Sequence, residues 1–196
     1  FSCAFNTHKL RTLCPKRMHD DISFEVFSDD FSEMEDQALE IASWATNVYV
    51  KIPITNTKRV PSYELIHKLA SREVKLNVTA IMTLEQVKHS TEALNPHVEA
   101  YVSVFAGRIA DTGIDPLPLM KESVSILTSK PKSELIWASP RELLNIFHAD
   151  SIGCQVITVT NDILKKLELV GKNLEDYSLE TVKMFYDDGQ KAGLKI

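Results

Sequence analysis

Asn47-Val48-Tyr49-Val50-Lys51-Ile52-Pro53-Ile54 reads as a strand. Its alternation puts Val48, Val50, Ile52 and Ile54 on one face and Tyr49 and Lys51 on the other. A lysine enclosed by apolar strand residues is costly, because a buried ammonium loses its hydration. Burial favours the neutral amine, which is the form that attacks a ketone. A strand-end lysine that reaches solvent fits the same short motif, since lysine is seldom fully buried. The rest of the chain has to decide between them.

Working outward, further strand-like runs occur at Ile22–Phe27, Val74–Ile81, Val98–Phe105, Glu134–Ser139 and Gln155–Thr160. Helical spacing fills the gaps: Phe31, Met34, Ala38, Ile41 and Ala45; Leu84, Val87 and Ala93–Leu94; Leu143, Leu144 and Phe147; Ile163, Leu164, Leu167 and Leu169. Ser32-x-x-Glu35, Thr83-x-x-Gln86 and Ser139-x-x-Glu142 are capping-box patterns. Pro140 falls at a first helical position, Asn161 is a candidate cap, and a last amphipathic helix is expected from about Ser178 to Ala192. Strict β–α alternation argues for a parallel sheet with right-handed crossovers. No GxGxxG or GxxxxGK[ST] pattern is present, so a nucleotide site has no support.

The totals fit one globular domain: 196 residues, 44% hydrophobic and 25% charged. A net charge of -5 without long charged runs argues against nucleic-acid binding. No apolar stretch approaches the roughly 20 residues that span a bilayer. The N-terminus has no continuous apolar core of a signal peptide. Cys3, Cys14 and Cys154 have no metal-ligand spacing and suggest thiols in a reducing, cytoplasmic setting. No metal site is expected.

In a (β/α)8 barrel, alternate strand residues face the helices and the interior. That rule sends Ile22, Phe24, Val26, Val48, Val50, Ile52, Leu76, Val78, Ala80, Val102 and Val104 outward. It leaves Ser23, Glu25, Lys51, Asn77, Thr79, Tyr101, Ser103 and Phe105 inside. Each has an ordinary alternative: Glu25 as a solvated edge residue, Asn77 and Thr79 as backbone-paired polar groups, Ser103 as a small filler. Several strands presenting chemistry on one parity are harder to dismiss, because barrel enzymes draw catalytic groups from different strand ends. Arg108 follows Phe105, and Arg141 follows Ser139 within the expected first turn of a helix. An arginine and a serine at a helix N-terminus suit a phosphate.

Together these residues resemble the transaldolase family, class I Schiff-base enzymes on a (β/α)8 barrel. Val48-Tyr49-Val50-Lys51-Ile52-Pro53-Ile54-Thr55 is similar to the family's Schiff-base strand, and Asn77-Val78-Thr79-Ala80-Ile81-Met82-Thr83 to its next strand. Ser103-Val104-Phe105-Ala106-Gly107-Arg108-Ile109 resembles S-P-F-V-G-R-I, with Val104 replacing the usual proline. Ala138-Ser139-Pro140-Arg141 resembles the phosphate-binding turn, and Glu25 falls on the acid/base glutamate. The small subfamily of comparable length also holds fructose-6-phosphate aldolases, which carry Gln at the position of Glu25 and Tyr at that of Phe105.

The resemblance implies an α/β fold of TIM (β/α)8-barrel type with about six of the eight βα units readable, over residues 22–196. Residues 1–21 are expected to be an atypical segment, too short for the two units that would carry an aspartate and an asparagine of the site. An open array exposes sheet edges and points to oligomerisation or an added chain. The implied activity is transaldolase chemistry of the pentose phosphate pathway, acting on sugar phosphates without a cofactor. Lys51 would form the Schiff base, and Glu25 and Thr79 would move protons. Asn77, Ser103 and Phe105 would meet substrate, and Arg108, Ser139 and Arg141 its phosphate. The alternatives are a fructose-6-phosphate aldolase and an impaired sugar-phosphate-binding fragment.

Overall fold

The computed structural model describes residues 21–193 and, as backbone, residues 3–6. Six parallel strands follow one another: β2 (Ile22–Glu25), β3 (Val48–Pro53), β4 (Leu76–Ile81), β5 (Ala100–Val104), β6 (Ser133–Trp137) and β7 (Val156–Val159). They lie in sequence order and curl into a half-barrel. A seventh strand, β1 (Cys3–Asn6), adds to the free side of β7 in the antiparallel sense. The sequence reading assigned no strand there. The other margin of the sheet is β2.

The helices are α1 (Phe31–Ala42), α2 (Tyr63–Ser71), α3 (Leu84–Ala93), α4 (Ala106–Asp111), α5 (Leu117–Leu127), α6 (Leu144–Ser151), α7 (Asn161–Lys165) and α8 (Leu174–Lys191). Thr83 and Gln86 form the expected capping box on α3. The other two boxes do not form. Asp30 caps α1, its carboxylate accepting from the amides of Ser32 and Glu33. After β6, Ser139 adopts a left-handed φ of 56°, and the Asn145 side chain takes the amides of Arg141 and Glu142. The helix therefore starts only at Leu144, and Arg141 lies in the connecting loop. Its buried residues are Ile146 and Ala149, not Leu144 and Phe147. Asn161 is the first residue of α7 rather than its cap.

Strand alternation divides the apolar residues into two clusters. Val48, Val50, Ile52, Leu76, Val78, Val102, Val104, Leu135, Trp137, Ile157 and Val159 pack against the helices in the main core. Tyr49, Tyr101, Ile136, Ala138 and Val156 form a second cluster inside the curl, with Phe105 against it. None of the described residues of α8 is buried. No described helix is long and apolar enough to cross a membrane.

Candidate functional site

Parallel register sets the first contacts. Glu25 pairs with Lys51 across β2 and β3, Lys51 with Asn77 across β3 and β4, and Pro53 with Thr79. Side chains on one parity thus line up across three strands. Lys51 Nζ lies 3.4 Å from Glu25 Oε2, donating to it. The Lys51 side chain is 29% exposed and that of Glu25 49%. The apolar enclosure expected of Lys51 is not what the structure shows. The reason is its place next to the sheet margin: among the described strands only β2 lies beyond it, so its Nζ keeps a solvated side and a carboxylate partner.

Asn77 and Thr79 are buried, at 4% and 2% exposure. Both polar atoms of Asn77 have a partner: its Nδ2 donates to Ser23 Oγ at 3.1 Å, and Ser103 Oγ donates to its Oδ1 at 2.7 Å. Thr79 differs, since its buried Oγ1 has no hydrogen-bond partner among the described residues. A buried hydroxyl without a partner costs stability. The strand is irregular at this point. Val78 pairs with Val102 and Ile81 with Val104, so β4 carries one extra residue, and Ala80 sits at φ 63°. Such bulges re-aim side chains, and left-handed non-glycine residues concentrate at functional sites.

The far wall comes from the loops after β5 and β6. The amide of Gly107 donates to the Ala138 carbonyl at 3.3 Å, and a Cβ on Gly107 would lie 1.5 Å from the Ser139 carbonyl oxygen. Only glycine allows α4 this close to the β6 exit. Arg108 is exposed, with its guanidinium 5.4 Å from the centre of the Phe105 ring, a cation–π distance. Arg141 Nε donates to Asp111 Oδ1 at 3.0 Å, and its Nη2 donates to Oδ2.

One cavity of about 570 Å³ gathers Lys51, Asn77, Thr79, Ser103, Phe105, Ser139 and Arg141. Glu25 and Arg108 do not line it; Glu25 is tied to it through Lys51, and Arg108 lies against Phe105. Two residues escaped the sequence reading. Asp111 had no visible link to Arg141, 30 positions later. Asp21 lines the cavity and accepts from the Tyr101 hydroxyl at 3.1 Å.

At the opposite, N-terminal end of the strands the interior is plugged. Tyr49 and Tyr101 stack with ring centres 4.4 Å apart. Burial pushes both phenols well above their ordinary range, helped at Tyr49 by the carboxylates of Asp21, Glu99 and Glu134 and at Tyr101 by Tyr49, Asp21 and Glu134. The 2.6 Å ion pair with Lys75 holds Glu99 below the usual carboxylate value. Cys154 is buried in apolar surroundings, which pushes its thiol up to about 12 and makes it a poor nucleophile. No cluster of His, Cys, Asp or Glu among the described residues is suited to a metal ion.

The sequence model of the family described as Transaldolase/Fructose-6-phosphate aldolase matches residues 5–196. A probable transaldolase of Thermoanaerobacter sp. (strain X514) is 33% identical over 176 residues, covering 89% of this chain and 76% of that protein. One from Dehalococcoides mccartyi is 33% identical over 159 residues, covering 81% and 70%. A probable transaldolase 2 of Listeria monocytogenes is 31% identical over 160 residues, covering 80% and 70%. Among solved structures, the c-di-GMP complex of PaMucR phosphodiesterase superposes with a TM-score of 0.45 at 12% identity, over 70% of this chain and 58% of that one. That likeness is too distant to bear on the chemistry. The chain belongs to the transaldolase/fructose-6-phosphate aldolase family.

Proposed function

We propose that this member of the family is a transaldolase that moves a dihydroxyacetone unit between sugar phosphates through a Schiff base on Lys51. The observation that carries the reading is the arrangement of Lys51, Glu25 and Thr79. The amine stands 3.4 Å from a carboxylate, and an unpartnered buried hydroxyl occupies the next strand. In this reading the neutral Nζ of Lys51 attacks the C2 ketone of fructose 6-phosphate or sedoheptulose 7-phosphate. The carbinolamine loses water to give a protonated imine, with Glu25 and Thr79 moving protons through a water. The imine accepts the electron pair of the C3–C4 bond as the C4 hydroxyl loses its proton. An aldose phosphate leaves, and the enamine on Lys51 attacks the aldehyde of a second aldose phosphate. Hydrolysis then frees the lysine.

Asn77, oriented by Ser23 and Ser103, would meet substrate hydroxyls, and Arg108, Ser139 and Arg141 the phosphate. No organic cofactor enters this chemistry. Its setting is the cytoplasm, and β2, as the sheet margin, is a place where a second copy or an added chain would join. The second reading, a fructose-6-phosphate aldolase, is disfavoured by Phe105, whose ring cannot protonate the enamine and so leaves it for an aldehyde acceptor. Borohydride reduction with fructose 6-phosphate, followed by peptide mapping, should label Lys51. A label on Lys75, or none, would reject the assignment. Dihydroxyacetone release without an acceptor, unchanged in Phe105→Tyr, would favour the aldolase.

A further inference from the structure

The two arginines offered to a phosphate are held differently. Arg108 has the Phe105 ring beside it, whereas Arg141 is gripped side-on by the Asp111 carboxylate through Nε and Nη2. Asp111 ends α4, three residues after Arg108 and one helical turn from it. The same helix is fixed against the β6 exit by the Gly107 contact with Ala138 and Ser139. The loop carrying Arg141 is tied again by the Asn145 side chain, which accepts from the Arg141 amide at 2.8 Å. One short helix therefore presents one arginine itself and clamps the other.

We propose that Asp111 is a positioning residue that sets Arg141 in the phosphate site and decides which edge of its guanidinium a phosphate meets. This rests on the reading above that Arg141 receives the substrate phosphate. A guanidinium holds a carboxylate best through two parallel N–H bonds. With the Nε edge occupied by Asp111, the Nη1 end is left for a ligand. A long, half-exposed side chain would otherwise sample many rotamers, and ordering it on binding would weaken affinity. The Asp111 charge also reduces the positive field of the site, so a dianion is held by directed hydrogen bonds more than by net charge. Both partners are 50% exposed, so the pair contributes little to folding.

The test uses the intact chain and does not require turnover. The rise in unfolding temperature is titrated with inorganic phosphate and with fructose 6-phosphate, which gives half-saturating concentrations. Asp111→Ala should raise both about threefold to tenfold, as expected for one lost charge-assisted arrangement. The unfolding temperature without ligand should stay unchanged, and Asp111→Glu should recover part of the affinity. In an Arg141→Ala background, Asp111→Ala should add nothing further. If Arg141→Ala weakens phosphate binding but Asp111→Ala leaves it unchanged or tightens it, the phosphate reading stands and the positioning role is overturned. If Arg141→Ala leaves binding unchanged, the phosphate reading and this proposal fall together.

Discussion

The two ends of the half-barrel interior are built from the same strands and the same parity, two residues apart, yet they do opposite things. Toward the N-terminal end stand Tyr49, Tyr101, Ile136 and Val156, packed together and buried. Toward the C-terminal end stand Lys51, Ser103 and Ala138, with Thr79 between. Each step of two along a strand exchanges bulk for a small or chargeable side chain. The lower end fills the curl as a core does. The upper end leaves a cavity, with Lys51, Thr79 and Ser103 around it and the Phe105 ring at its side. The lower layer is thus the floor that keeps the upper groups at fixed heights.

The contrast predicts a separation of effects, and the largest falls on one pair of variants. In the proposed reaction, Lys51→Met should lower the rate of transfer by about 10⁴-fold or more, since among the described residues it is the one lysine lining the cavity. Its folding cost should be small, because the ion pair it breaks is open to water. Tyr49→Ala, at a ring that is buried and does not line the cavity, should do the reverse in origin: about 3 kcal/mol or more of stability lost through an unfilled floor, with activity falling only as the fold fails. Urea unfolding and a coupled assay on both proteins check this. Equal stability loss in the two would erase the distinction between floor and site.

Gly107→Ala comes next. The added methyl has backbone in its way, at the Ser139 carbonyl, so α4 or the β6 exit must move. About 1–3 kcal/mol of destabilisation is expected, together with weaker phosphate binding, because both arginine-bearing segments shift. Gly189→Ala, inside α8 with open space around it, is the control and should not destabilise. Denaturant midpoints for the two variants settle it.

The floor also has its own pH signature. Tyr49 and Tyr101 are raised in the folded state from an ordinary value of 10.0. Below that value both states keep the protons and stability is unaffected. Above it the unfolded chain ionises first, so it binds fewer protons than the native state, and stability falls as pH rises. The slope is at most about 1.4 kcal/mol per pH unit for each tyrosine. Unfolding free energies measured from pH 8 upward should bend downward near pH 10, and less so in Tyr49→Phe. A profile identical in the variant would remove the phenols as the cause.

How much of this was legible in the sequence follows from what range of contact each feature needs. The six parallel strands and their inward parity came from alternation, a local pattern that burial enforces. The Thr83 box held because its partners are three residues apart. The Ser139 box failed because its backbone is bent left-handed where α4 crosses it, a long-range contact. The exposure of Lys51 depended on how many strands stand beyond it, which alternation does not encode. Asp111 was invisible for the same reason, since its partner lies on another loop. The helix α4, under two turns long, is too short to show an apolar period, whereas α2 carries one in Leu65, Ile66, Leu69 and Ala70.

The smallest expected effect concerns the boundary between floor and site. Asn77 and Thr79 are both buried on β4, but only Asn77 has its polar atoms paired. Removing a paired group from a network leaves its partners unsatisfied, so Asn77→Ala should cost about 1–3 kcal/mol. Thr79→Val exchanges an unpartnered hydroxyl for a methyl of similar shape, so no partner is stranded. Its stability should change by less than about 1 kcal/mol, and in the favourable direction. Activity should move the other way, because in the proposed reaction the lost hydroxyl, which has no partner among the described residues, is the one that meets the reacting water. Thermal unfolding beside the rate of Schiff-base trapping checks both halves. A Thr79→Val protein that is clearly less stable would mean that Oγ1 has a structural role. One that traps substrate at the parent rate would take Thr79 out of the proton path.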